Sequence, residues 1–165
     1  MSTHRYLIAL GSNQRHPMFG RPRDVLQVAI DRMSSAVGAV LAQSPIITSA
    51  PIGPSQRRYA NGAVVISTNR EPEDLLESLQ ELEQVLGRER RGQRWRARTL
   101  DLDIVLWCGG ILSQEHLQIP HPAFREREFV LGPAMAVAAG WRDPVTGLTI
   151  KQLHSRLTKP KPTPR

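Results

Sequence analysis

Residues 99–107 read Thr99-Leu100-Asp101-Leu102-Asp103-Ile104-Val105-Leu106-Trp107. Leu100, Leu102, Ile104 and Leu106 alternate with Asp101, Asp103 and Val105, the period-2 pattern of a strand with one apolar face. Side chains at i and i+2 point the same way, so the two carboxylates stand roughly 6.5–7 Å apart along the strand. At an effective dielectric of about 20 their repulsion is about 2.4 kcal/mol. Partial desolvation would add several kcal/mol per ion. Against a total stability of roughly 5–15 kcal/mol, the pair calls for a compensating cation.

Two sources of positive charge are open. The first is the adjoining segment 88–98, which holds six Arg and one Glu, a net +5 in a chain whose total is +7. The second is Mg²⁺, which takes one or two carboxylates together with substrate phosphates. Structural ion pairs alone need fewer guanidinium groups than this. Metal ions flanked by arginines are what an enzyme uses to hold a polyphosphate and neutralise charge during its transfer.

A length of 165 residues with 40% hydrophobic and 22% charged side chains predicts one soluble globular domain. Residues 1–157 are assigned to that domain, and 158–165, with prolines at 160, 162 and 164, to an extended tail. The single Cys108 excludes an internal disulfide and fits a reducing compartment. The apolar run Tyr6–Leu10 is too short for a signal core or a membrane span. The expectation is a cytoplasmic protein with no membrane partner. A pI near 10.7 raises nucleic acid as a ligand. However, much of the excess charge sits in one loop, aromatics are 5% of the chain, and no strand carries the aromatic signature that stacks bases. Concentrated charge fits a small anionic ligand.

Along the chain, His4–Leu10 reads as a strand ended by the turn Gly11-Ser12-Asn13. Pro22 suits the first turn of a helix, with Leu26, Ile30, Met33 and Val37 on one face and Gly38 as its stop. Val40–Thr48 reads as a second strand, followed by a loop, and Tyr59–Thr68 as a third. Pro72 opens a second helix with a leucine stripe at 75, 76, 79, 82 and 86, and Gly87 is placed to cap it. Gln80 and Glu83 share a face and read first as the polar side of that helix. After the aspartate strand, Gly109-Gly110 predicts a hairpin return through Ile111 and Leu112. Leu117–Ile119 makes a further short strand, and Pro120-His121-Pro122 a rigid segment. Phe129–Ala139 is helical in part, interrupted at Gly132-Pro133, and Thr149–Leu157 forms a last helix. Two strand-helix-strand units in this length predict a ferredoxin-like α+β sandwich with a mostly antiparallel sheet and extra C-terminal helices. A small doubly wound α/β domain is the alternative.

There is no Gly-x4-Gly-Lys-Ser/Thr loop and no Gly-x-Gly-x-x-Gly. There is also no Cys/His cluster for zinc and no nucleophile elbow. His4, His16 and His154 read as ordinary surface or core residues. What remains is a metal-dependent polyphosphate site built from a strand, a basic loop and a proline-bracketed histidine.

Gly11-Ser12-Asn13 after the first strand, Tyr59-Ala60-Asn61 opening the third, Arg94-Trp95 with Arg98-Thr99-Leu100-Asp101-Leu102-Asp103-Ile104, and Pro120-His121 together resemble the 6-hydroxymethyl-7,8-dihydropterin pyrophosphokinases. The resemblance spans roughly residues 4 to 145. It implies transfer of diphosphate from ATP to a pterin alcohol with release of AMP, by a monomer acting on small molecules and not on nucleic acid. It implies that Asp101 and Asp103 bind two Mg²⁺ ions and form the catalytic group with Arg88 and Arg98.

For the pterin, the resemblance implies a sandwich between Tyr59 and Phe129, with Asn61 reading the polar edge. Ser49, Ala50, Pro51 and Ile52 add contacts. For ATP it implies Gln80, Glu83, Arg88, Arg98, Ile104, His121 and Arg127. Arg90, Arg94 and Trp95 belong to a loop that closes over the nucleotide in that family, and Trp95 also reaches the pterin side; its bland reading is a loop aromatic packed on the core. The chain departs from the family pattern at His116, where arginine is common, and at Pro122, where an aromatic is common. Two other activities stay open: a ferredoxin-like nucleic-acid-binding module, and a nucleotidyl transferase that would release pyrophosphate.

Overall fold

The computed structural model describes residues 2–49, 58–87 and 99–160. A central sheet holds β1 (His4–Ser12), β2 (Ala39–Gln43), β3 (Ile47–Ser49), β4 (Tyr59–Thr68) and β5 (Asp101–Trp107). Its order is β2-β4-β1-β5 with β3 also on β4, and every pairing is antiparallel. An all-antiparallel sheet excludes the doubly wound alternative, whose strands run parallel. The fold is the ferredoxin-like sandwich.

Helices α1 (Pro22–Ala36) and α2 (Pro72–Gly87) cover one face. There Tyr6, Ile8 and Leu10 of β1 meet Leu26, Ile30 and Met33 of α1 and Leu75, Leu79 and Leu86 of α2. The other face carries α3 (Glu128–Ala138) and α4 (Ile150–Thr158). There Leu7, Ala9, Ala63 and Val65 pack against Leu131, Ala134, Ile150 and Leu153. Period-2 alternation along β1 sends successive residues to the two cores, so a strand buried on both faces reads as an unbroken apolar run.

Several expectations are corrected. β1 runs on through Gly11 and Ser12, which pair with Asn61 and Ala60, so this segment is strand and not turn. The strand expected over 40–48 is split at Ser44-Pro45. Proline has no N–H for the ladder, and the Ser44 hydroxyl accepts the Ala63 N–H at 2.9 Å instead. Gly87 ends α2 without a left-handed backbone; its role is close approach, since a Cβ there would lie 2.2 Å from Thr99 Cβ.

The apolar alternation of β5 breaks at Val105. Ile8 faces Ile104 while Leu7 faces Leu106, so the strand holds one extra residue, a β-bulge. Leu102 and Ile104 therefore join the α1/α2 core while Leu106 joins Val105 in the α3/α4 core. Beyond it, Gly110 (φ +98) turns the chain, its N–H bonding Trp107 O at 3.0 Å. The following strand β6 (Leu112–Ser113) does not return along β5. It pairs with β7 (Gln118–Ile119) in a separate ribbon. Helix α3 passes through Gly132-Pro133 uninterrupted. An interior proline costs about 3 kcal/mol, and burial of Leu131, Pro133, Ala134 and Ala138 offsets it.

Candidate functional site

The site follows from register. Gly11 on β1 pairs with Asn61 on one side and Asp101 on the other, and Ala9 pairs with Ala63 and Asp103. Residues paired directly across strands share a sheet face, so Asn61, Gly11 and Asp101 form one row and Ala63, Ala9 and Asp103 the next. Strands are about 4.8 Å apart. With only glycine and alanine between them, an open trough separates the carboxamide of Asn61 from the two carboxylates.

That trough is the floor of a cleft of about 750 Å³ lined by Ala9 to Asn13, Ser49, Tyr59, Asn61, Asp101, Asp103 and the start of α3. Its size lies within the range of small-molecule sites, about 300–1,000 Å³. Two aromatics are left open to solvent at its walls, Tyr59 (40% exposed) at the start of β4 and Phe129 (51%) at the start of α3. The Arg127 guanidinium carbon lies 5.6 Å from the centre of the Phe129 ring, a cation–π distance.

The aspartates are half-buried, with 37% of the Asp103 side chain exposed. β5 is an edge strand of the sheet, so the two carboxylates are only partly desolvated and water carries part of the cost of the paired charges. The His121 Nε2 lies 4.0 Å from Asp103 Oδ2. Its position is fixed by backbone, because His121 N–H donates to Val105 O at 3.1 Å and its Nδ1 accepts the Ala123 N–H at 3.2 Å. An accepting Nδ1 leaves the ring proton on Nε2, the nitrogen facing Asp103.

Glu83 and Gln80 part company. Gln80 is exposed, whereas Glu83 is buried and its Oε2 accepts the Leu102 N–H at 3.0 Å. Leu102 lies between the two aspartates on an edge strand, whose outward N–H groups need partners from outside the sheet. Ile104 is 4% exposed within the α1/α2 core, and His116 stands in solvent with 86% of its side chain exposed. Ala50, Pro51, Ile52, Arg88, Arg90, Arg94, Trp95 and Arg98 lie outside the described residues. No group of three or more His, Cys, Asp or Glu able to hold a metal occurs among the described residues.

The structure thus brings Ser49, Tyr59, Asn61, Asp101, Asp103, Arg127 and Phe129 to one cleft, with His121 beside Asp103. Sequence reasoning missed the contribution of Ala9, Gly11 and Glu128 to its lining. The signal for Gly11 was available, since it stands where an apolar strand would otherwise carry a side chain over the floor.

The family profile for 7,8-dihydro-6-hydroxymethylpterin-pyrophosphokinase matches residues 7–139. A Synechocystis protein named 2-amino-4-hydroxy-6-hydroxymethyldihydropteridine pyrophosphokinase is 38% identical over 151 residues, 91% of this chain and 74% of its own. Its namesake in Pseudomonas aeruginosa is 39% identical over 142 residues, 85% of this chain and 84% of its own. Among solved structures, wild-type Plasmodium falciparum HPPK-DHPS superposes with a TM-score of 0.71 at 13% identity. That alignment covers 94% of this chain and 41% of the longer one, a likeness of fold. With a family match over most of its length, the chain belongs to the 7,8-dihydro-6-hydroxymethylpterin-pyrophosphokinases.

Proposed function

We infer that this chain transfers diphosphate from ATP to the hydroxymethyl group of 6-hydroxymethyl-7,8-dihydropterin, releasing AMP, a step of folate biosynthesis. The observation that carries the reading is the cross-strand row Asn61–Gly11–Asp101. It sets a group able to read a heteroaromatic edge one strand from each side of an open floor, with carboxylates opposite.

In this reading the pterin ring lies in the trough, stacked between Tyr59 and Phe129, with Asn61 hydrogen-bonding its polar edge and Ser49 adding a contact. The hydroxymethyl arm then points across Gly11 toward Asp101 and Asp103. Those two residues suit Mg²⁺, being hard oxygen donors on one face whose register partners, Gly11 and Ala9, carry no side chain longer than a methyl. We assign two Mg²⁺ ions to them. Divalent ions held there would neutralise the phosphates and favour ionisation of the pterin hydroxyl.

The remaining work belongs to side chains. Arg127 and His121 flank the carboxylates, and His121 presents its Nε2 proton to phosphate oxygens. Arg88, Arg90, Arg94 and Arg98 supply further positive charge for ATP, and Trp95 a contact to both substrates. Gln80 and Ile104 belong to the nucleotide side. Glu83 serves by fixing the backbone of Leu102 between the metal ligands. In-line transfer then needs only positioning and electrostatic stabilisation, with no covalent intermediate.

We place the enzyme in the cytoplasm as a monomer, with residues 1–157 as one unit and 158–165 as its tail, although α4 extends to Thr158. No helix among the described residues is long and apolar enough to cross a membrane. The test is to identify the products formed from Mg²⁺-ATP and the pterin alcohol. AMP and the pterin diphosphate are expected. ADP, or release of pyrophosphate as from a nucleotidyl transferase, would overturn the assignment.

A further inference from the structure

We propose that Asp143, through Arg125, is a positioning residue that sets where the aromatic and basic wall of the cleft stands relative to the carboxylate strand. The proposal rests on reading the cleft as the pterin site. His121, beside Asp103, and the pair Arg127 and Phe129 in the cleft wall sit at opposite ends of one short segment. Between them runs a single 3-10 turn, Phe124–Glu126. Whatever fixes that turn fixes both ends.

Phe124 is fully buried in the α3/α4 core and anchors the turn on one side. Arg125 anchors it on the other. Its Nε and Nη2 donate to the two oxygens of Asp143, the second at 2.8 Å, a bidentate fork. The guanidinium also lies 4.8 Å from the centre of the Phe124 ring.

Asp143 has no solvent exposure and accepts two further hydrogen bonds, from Val145 N–H at 3.0 Å and Thr146 Oγ1 at 2.7 Å. Its four acceptor sites are therefore filled. The backbone around it is closed by Gly147 N–H to Asp143 O and Asp143 N–H to Leu148 O, each 2.8 Å, with Gly147 at φ +75. A buried carboxylate saturated in this way is a rigid post.

None of Asp143, Val145 and Thr146 lines the cleft. Arg125 precedes Arg127 by two residues and Phe129 by four. Rotation of its turn moves the stacking ring and the cation above it together. A fork of two parallel hydrogen bonds resists such rotation in a way that a single point charge does not.

The test uses the full chain carrying Asp143→Asn or Arg125→Lys, with Phe129→Ala as a marker of the site. Melting temperature, pterin affinity without nucleotide, and KM for each substrate are measured well below the melting transition. The expected result is a loss of pterin affinity of about tenfold or more in Asp143→Asn and a smaller loss in Arg125→Lys, with KM for ATP raised in the same order because His121 and Arg127 sit on the same segment. A lower melting temperature with unchanged pterin affinity would reduce the pair to a stabilising one and overturn the proposal. If Asp143→Asn does not fold, Arg125→Lys decides by the same split. If Phe129→Ala also leaves pterin binding intact, it is the assignment of the cleft that fails. Loss in Phe129→Ala alone refutes only the positioning role.

Discussion

Asn61 and Asp101 stand on one sheet face on either side of Gly11, their common register partner. A Cβ on Gly11 would lie 3.3 Å from Asn61 Oδ1, so the glycine is what leaves the carboxamide free to face the trough. Gly11→Ala separates stability from binding. Alanine in a strand interior is favoured over glycine by roughly 0.5–1 kcal/mol, so the melting temperature holds or rises. The displaced amide is expected to raise KM for the pterin about tenfold, some 1.4 kcal/mol, with KM for ATP unchanged. Wild-type pterin binding in this variant would show that the trough is not where the ring lies.

The carboxylates are tested one at a time. Asp101→Ala and Asp103→Ala each remove one of two like charges on the same face, which relieves repulsion and leaves the edge strand folded. Each variant is expected to fold, with a melting temperature within a few degrees of wild type. Turnover falls by about 10²–10³-fold or more, the scale for removing one preorganised electrostatic group from a transfer site. Full turnover in either variant, at saturating Mg²⁺ and ATP, would end the metal assignment.

Glu83 touches the carboxylate strand through its backbone, accepting the Leu102 N–H. Glu83→Ala leaves the Leu102 N–H without the acceptor at 3.0 Å, and an unsatisfied buried donor costs about 1–3 kcal/mol. For a chain of this size the melting temperature falls about 2–4 °C for each kcal/mol. Because Leu102 separates the two aspartates, turnover should drop more than the fraction unfolded accounts for. Glu83→Gln keeps an accepting oxygen and restores most of both. Equal behaviour of the two variants would argue against this backbone role.

What the sequence made legible follows one physical rule. Strands and helices that bury a regular stripe announce themselves, which is why β4, α1 and α2 lie where periodicity puts them. Asp101 and Asp103 were readable because a charge repeating on an otherwise apolar strand breaks that rule. Three features lie beyond periodicity. The bulge at Val105 depends on pairing with Leu7 and Ile8, roughly a hundred residues away. Glu83 sits where a polar residue of an amphipathic helix is expected outside, and its contact with Leu102, 19 residues on, is not visible in that pattern. The Arg125–Asp143 fork joins residues 18 apart, with no local pattern to announce it.

That fork gives a stability with a defined pH window. Burial of Asp143 raises its pKa, but hydrogen bonds from Arg125, Thr146 and the Val145 N–H, with the Arg125 charge, overcome this and hold it at about 2. An unfolded aspartate titrates near 3.9. The folded value is the lower, so the stabilisation is complete above about pH 5 and is lost progressively as pH falls through 2, on the order of 2–3 kcal/mol in all. Comparing unfolding of wild type with Asp143→Asn at successive pH values isolates it, since other carboxylates titrate in both proteins. The stability gap between the two should be widest at neutral pH and narrow steadily below about pH 5. A gap that stays constant down to pH 2 would mean that Asp143 is not held ionised by Arg125.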